Sequence, residues 1–159
     1  MNTFRTTLAA AALGLTAIAT SAAADDMATV QTFYDLLSNP GSETHVAAFL
    51  GATSETWESV GDYSGENEGR DGFVGQMGFF SQLIPELDWS VQAMHQDGDF
   101  VTVRSRATGT PTGPFFGVDG EGRGFDILTI DIHELDNGVI VRTYHVEDWA
   151  SALQQLSGR

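Results

Sequence analysis

Two hydrophobic periods divide this chain. From Met27 to Ile84 apolar residues recur every three or four positions, and from Leu87 onward they alternate. Val30, Phe33, Tyr34 and Leu37 predict an amphipathic helix over Met27–Ser38. Asn39-Pro40-Gly41-Ser42 stops it. A second, short helix is expected over Thr44–Leu50, with Val46, Phe49 and Leu50 facing inward. Ser54–Val60, which carries Trp57, reads as a short strand or extended link, and the polar Gly61–Gly69 as a loop. Phe73, Met77, Phe80 and Ile84 mark a third helix over Asp71–Ile84, ended by Pro85. Gly72, Gly75 and Gly78 weaken it by about 1 kcal/mol each relative to Ala. Close packing against a sheet would be one reason to keep them.

The rest reads as a meander. Leu87, Trp89, Val91 and Ala93 alternate with polar residues up to Met94. Asp97-Gly98 and Asn137-Gly138 are hairpin turns, because these pairs tolerate positive φ. Strands are expected over Phe100–Thr108, Arg123–Glu134 and Val139–Val146, and a helix or turn over Asp148–Leu156. Helices first and strands later define an α+β domain with an antiparallel sheet. Phe125 and Ile127 oppose Leu128, Ile130 and Ile132 along one strand, so both sheet faces are expected to be covered. A homodimer contact is one way to cover the second.

The first 24 residues add an address. Arg5 is their only charge, Leu8–Ala19 is apolar and short, and Ala22-Ala23-Ala24 fits a signal-peptide cleavage site. The expectation is an exported protein, periplasmic or secreted, with one domain over residues 25–159. The apolar run is too brief to span a membrane as a helix of about 20 residues. With no Cys, stability must come from packing, and thiol nucleophiles and Cys-bearing metal sites are excluded. The formal charge is −15, and all seven basic residues are Arg. That field repels phosphate backbones and anionic lipid, so nucleic acid and membrane partners are set aside.

Residues 104–117, Arg-Ser-Arg-Ala-Thr-Gly-Thr-Pro-Thr-Gly-Pro-Phe-Phe-Gly, are followed by Gly122-Arg123, Asn137-Gly138, Ile140 and Tyr144-His-Val-Glu-Asp148. Gln155-Leu156 closes the series. In this order the motifs resemble those of the SnoaL-like polyketide cyclases, or ester cyclases, of the nuclear transport factor 2-like superfamily. The resemblance implies a cone-shaped α+β fold, with N-terminal helices packed on a curved antiparallel sheet. It also implies an apolar pocket for a small hydrophobic molecule, and chemistry with no metal and no cofactor.

The family's acid/base aspartate falls on Asp148. A carboxylate desolvated in an apolar cavity is a stronger base and could move a proton α to a carbonyl. Asp148 equally suits an N-cap for the helix that follows, with Ser151 in its first turn. His145 is the candidate helper. A hairpin at Asn137-Gly138 could bring it near His133 and near Glu147 or Asp148, as an acid/base pair or a metal site. Arg104, Arg106 and Thr108 share a strand face. Arg104 matches the family and could anchor a substrate oxygen, whereas Arg106 better suits an ion pair. Trp57, Phe80, Phe115, Tyr144 and Trp149 are candidate pocket walls, and each could equally be core. Tyr144 stands where the family has Trp, and Pro111 where it has His. Two readings remain open: an acid/base enzyme acting on a ketone- or ester-bearing molecule, or a non-catalytic ligand-binding protein of the same fold.

Overall fold

A computed structural model describes residues 15–158, with side chains from residue 25 onward. The export-segment expectation therefore falls largely on residues outside the described set. In chain order the elements are α1 (Leu15–Ser38), α2 (Glu43–Ala52), β1 (Thr53–Val60), β2 (Glu68–Gly69) and α3 (Arg70–Leu83). Then come β3 (Asp88–Asp97), β4 (Phe100–Gly109), β5 (Phe125–Asp136), β6 (Val139–Glu147) and α4 (Trp149–Ser157). No described helix is long and apolar enough to cross a membrane.

The strands form one curved sheet in the order β2-β1-β6-β5-β4-β3. The meander β3 to β6 is antiparallel, as its alternation implies. Its β5–β6 turn, Asn137-Gly138, has φ of 53° and 78°. Only residues that accept the left-handed region make such a turn without strain. Three features depart from the sequence reading. α1 starts at Leu15, not at Met27, and so runs through the expected cleavage point after Ala24. β1 pairs parallel with β6, because the whole meander intervenes as a crossover between them. The stretch Gly61–Gly69 is not all loop, since its last two residues pair with β1 as β2.

The helices cover one sheet face, here the inner one. Val30, Phe33, Tyr34 and Leu37 of α1 are buried against it, as their spacing predicts. Phe33 stacks on Phe73 of α3 at 5.3 Å, and Phe49 of α2 meets Trp57 of β1 edge-on at 5.4 Å. Close packing against the sheet does not account for the α3 glycines. A Cβ on Gly72 would meet only the Glu68 side chain, which can swing aside, and Gly75 and Gly78 face open space. At the other end, Gly158 closes α4 with a left-handed φ of 70°. Arg123 Nε donates to Leu156 O at 2.6 Å, so this motif arginine satisfies a helix end.

Candidate active site

The inner face is not wholly apolar. Alternation on β5 places Thr129, Asp131 and His133 inward, all buried. Register sets Asp131 beside His145 and His133 beside Thr143 on β6, and Ser105 of β4 beside Thr129. A polar stripe thus crosses the middle of the cone. Buried polar groups cost stability unless hydrogen-bonded, and within the stripe Ser105 Oγ has no partner while the rest are linked. Here Trp57 Nε1 donates to Thr143 Oγ1 at 3.1 Å, and Thr143 Oγ1 lies 3.0 Å from His133 Nδ1. The Tyr34 hydroxyl lies 2.9 Å from His133 Nε2 and donates to Asp131 Oδ2 at 2.8 Å. Burial pushes Asp131 up to about 7, reinforced by the charge of Glu147 and opposed by the Tyr34 hydrogen bond. Burial also drives His133 down to about 3, which keeps it neutral, and raises the Tyr34 phenol far above its usual range.

The stripe reaches solvent at His145. Its Nδ1 lies 2.8 Å from Glu147 Oε1, both side chains being partly buried. An ionised carboxylate only accepts, so Nδ1 carries the proton and Nε2 is left as the basic nitrogen. Burial opposes the charged imidazole, but the Glu147 hydrogen bond and the charges of Glu147 and Asp131 outweigh it, and His145 is raised. Its ring lies against the backbone of β1's end. A Cβ on Gly61 would sit 2.9 Å from His145 Nε2, so only glycine leaves the ring its place. His145 borders a cavity of about 210 Å³, with Ser59, Asp62, Glu66, Glu68 and Gln76 among its walls. Gln76 also borders an aromatic cavity of about 240 Å³, walled by Phe79, Phe80, Leu83, Pro114, Phe115 and Phe116.

The other candidates scatter. Asp148 is exposed, and its carboxylate accepts from Ser151 N at 3.1 Å and Ser151 Oγ at 2.6 Å. Those hydrogen bonds lower its pKa, so the expected desolvation of Asp148 is absent and its N-cap role is present. Phe80, Phe115 and Trp149 do come together, at 6.2 and 5.4 Å between successive rings. Trp57 is 1% exposed inside the aromatic core, where it starts the polar chain. Arg104 and Tyr144 point to the outer sheet face, away from the stripe, because strand alternation puts them opposite Ser105 and His145. Arg106 forms the expected ion pair, with Asp126, through two hydrogen bonds of 2.7 and 2.5 Å.

The sequence reading passed over Asp131 and Tyr34. The available signal was Thr129, Asp131 and His133 at every second position, alternating with the apolar Leu128, Ile130 and Ile132. Among the described residues, no three metal-binding side chains gather.

This arrangement of helices on a curved sheet is the nuclear transport factor 2-like, or ketosteroid isomerase-like, fold. Three solved structures share it. A candidate SnoaL-like polyketide cyclase from Jannaschia sp. CCS1 aligns with a TM-score of 0.73 at 20% identity, over 86% of this chain and 94% of that one. IdmH, a candidate polyketide cyclase from Streptomyces antibioticus, aligns at 0.69 and 24%, over 82% and 97%. A protein of ketosteroid isomerase-like fold from Catenulispora acidiphila, solved with trimethylamine, aligns at 0.64 and 17%, over 82% and 92%. No curated protein is similar in sequence at a significant level. The family model for SnoaL-like polyketide cyclase matches residues 28–156, and the chain belongs to that family.

Proposed function

We propose that this protein carries out acid/base chemistry on a ketone- or ester-bearing small molecule, with His145 as the proton-transferring group. One observation carries the reading: a half-buried imidazole, held by Glu147 at 2.8 Å and paired across the sheet with buried Asp131, borders a cavity. His145 Nε2 would take a proton α to the carbonyl. Glu147 would steady the imidazolium, and the same nitrogen would return the proton to the product. The aromatic cavity beyond Gln76 suits the apolar body of such a molecule. Asp148 enters as the cap of α4, and its alternative role as the base stays open to test.

The test is deuterium uptake α to the carbonyl of an aryl β-keto ester. The wild-type protein should accelerate uptake. His145→Gln should lose most of the acceleration, within the roughly 10²–10⁴-fold range of one acid/base group. Asp148→Asn, which still caps a helix, should retain it. Loss in Asp148→Asn with retention in His145→Gln would return the role to Asp148.

A ligand-binding protein without catalysis is the second reading. The aromatic cavity favours it, because its walls hold no titratable group. Release of an unchanged hydrophobic molecule in native mass spectrometry, with no uptake of deuterium, would select it.

Two further parts of the proposal lie outside the site. Export rests on the leader-like residues 1–24, and a secreted chain starting at Asp25 is its test. A homodimer rests on the outer face, where Leu128, Ile130, Ile132 and Val146 are 39–69% exposed. A groove of about 370 Å³ runs from there to the edge of the site: Ile130, Ile132, Tyr144 and Val146 wall it together with Gly61 and His145.

A further inference from the structure

The buried chain behind His145 has a direction. The Trp57 indole can only donate, so Thr143 Oγ1 must accept from it. His133 is buried and neutral, which leaves it two tautomers. If Nε2 carries the proton, Thr143 donates to the bare Nδ1, His133 donates to the Tyr34 oxygen, and Tyr34 donates to Asp131. Every contact then holds one proton. If Nδ1 carries the proton, bare Nε2 requires the Tyr34 proton, and Tyr34 and Asp131 would face each other at 2.8 Å with lone pairs only. Above about pH 7, where Asp131 is ionised, that state is excluded, since an unmade buried hydrogen bond is costly. So Trp57, Thr143, His133 and Tyr34 all donate toward one carboxylate.

We infer that Tyr34, set by this chain, is a positioning residue for the His145–Glu147 pair: it commits its hydroxyl proton to Asp131 and so holds a carboxylate charge beside His145. The inference rests on the proposed role of His145, but its test needs no substrate. The charged and titratable groups around Asp131 are Tyr34 from α1, His133 on its own strand, and His145 and Glu147 from β6. Glu68 of β2 also acts on His145. Tyr34 is therefore the neutral donor in a cluster where Glu147 favours protonation of Asp131. Without the hydroxyl, Asp131 gains a proton more easily, and His145 loses a neighbouring negative charge.

Two measurements on the full mature chain decide it. Nitrogen-15 chemical shifts of His133 in the wild type at pH 9 should show the Nε2–H tautomer. The Nδ1–H tautomer there would overturn the direction of the chain. In Tyr34→Phe, the nitrogen-15 titration of His145 should move to lower pH than in the wild type. An unmoved titration in a folded variant would make Tyr34 merely structural and overturn the inference. If Tyr34→Phe does not fold, Thr143→Val breaks the chain one step away, and its expected sign is also a lower His145 midpoint. Catalysis does not enter these readouts, so they can succeed while the acid/base reading fails, or the reverse.

Discussion

The two faces of β5 differ in a way that reverses the usual rule for a sheet strand. Thr129, Asp131 and His133 point inward and are at most 2% exposed, while Leu128, Ile130 and Ile132 between them point outward and are 39–50% exposed. The polar set is stable inside because its hydroxyl, carboxyl and imidazole groups have partners from β3, β6 and α1. Thr129, for one, accepts from Trp89 Nε1 at 3.1 Å. The apolar set has no such cover within the described chain. Each face is anomalous alone. Together they describe a cone with chemistry in its wall and an outer surface suited to a partner, since contiguous exposed apolar patches mark interaction sites.

Three perturbations separate the faces. The largest should come from Trp57→Ala. It removes a buried indole that packs against Phe33, Phe49 and Phe73 and starts the polar chain. A loss of about 3–5 kcal/mol in chemical denaturation is expected. A loss below about 1 kcal/mol would mean the inner chain is not integral to the core.

The second is a pH effect. Asp131, raised to about 7, keeps a proton in the fold that the unfolded chain has released, so it costs stability as pH rises from about 4 to 7. His133, lowered to about 3, refuses a proton that the unfolded chain takes up below about 6.5, so it costs stability as pH falls. The slopes have opposite signs and offset between about pH 4 and 6.5. Asp131→Asn should expose the His133 slope alone, with stability falling toward acid by up to about 1.4 kcal/mol per pH unit. His145 and Glu147, which face Asp131, remain in both proteins. Identical pH profiles for wild type and variant would contradict the offset.

The smallest effect on the fold should come from Ile130→Lys on the outer face. Denaturation midpoints should stay within about 0.5 kcal/mol, as for surface changes generally, while sedimentation should shift from dimer to monomer. A wild-type protein that sediments as a monomer at micromolar concentration would remove the homodimer.

Much of the fold was legible because period is local information. The helices α1 and α3 followed from apolar residues three and four apart, and the hairpins from Asp97-Gly98 and Asn137-Gly138. The parallel pairing of β1 with β6 was not legible, because it joins segments some 80 residues apart and leaves no local mark. The site was less legible than the fold. Alternation shows that Asp131 and Ile130 face opposite ways, but not which way is inward. Burial of Asp131 depends on Tyr34, 97 positions away, reaching it from a helix. His145 was readable as a candidate because it sits in the Tyr144–Asp148 motif. The desolvation attached to Asp148 failed because the helix starting at Trp149 takes both carboxylate oxygens through Ser151.

The central claim is that chemistry occurs in the cone beside His145. Its most direct test is a two-dimensional NMR titration of the protein with an aryl β-keto ester, following backbone amides and the His145 ring. The account expects saturable shifts at Gly61, Gln76 and His145, with Phe80 and Phe115 responding as walls. Shifts confined to Ile130, Ile132 and Arg104 on the outer face, or to Asp148 and the first turn of α4, would contradict it.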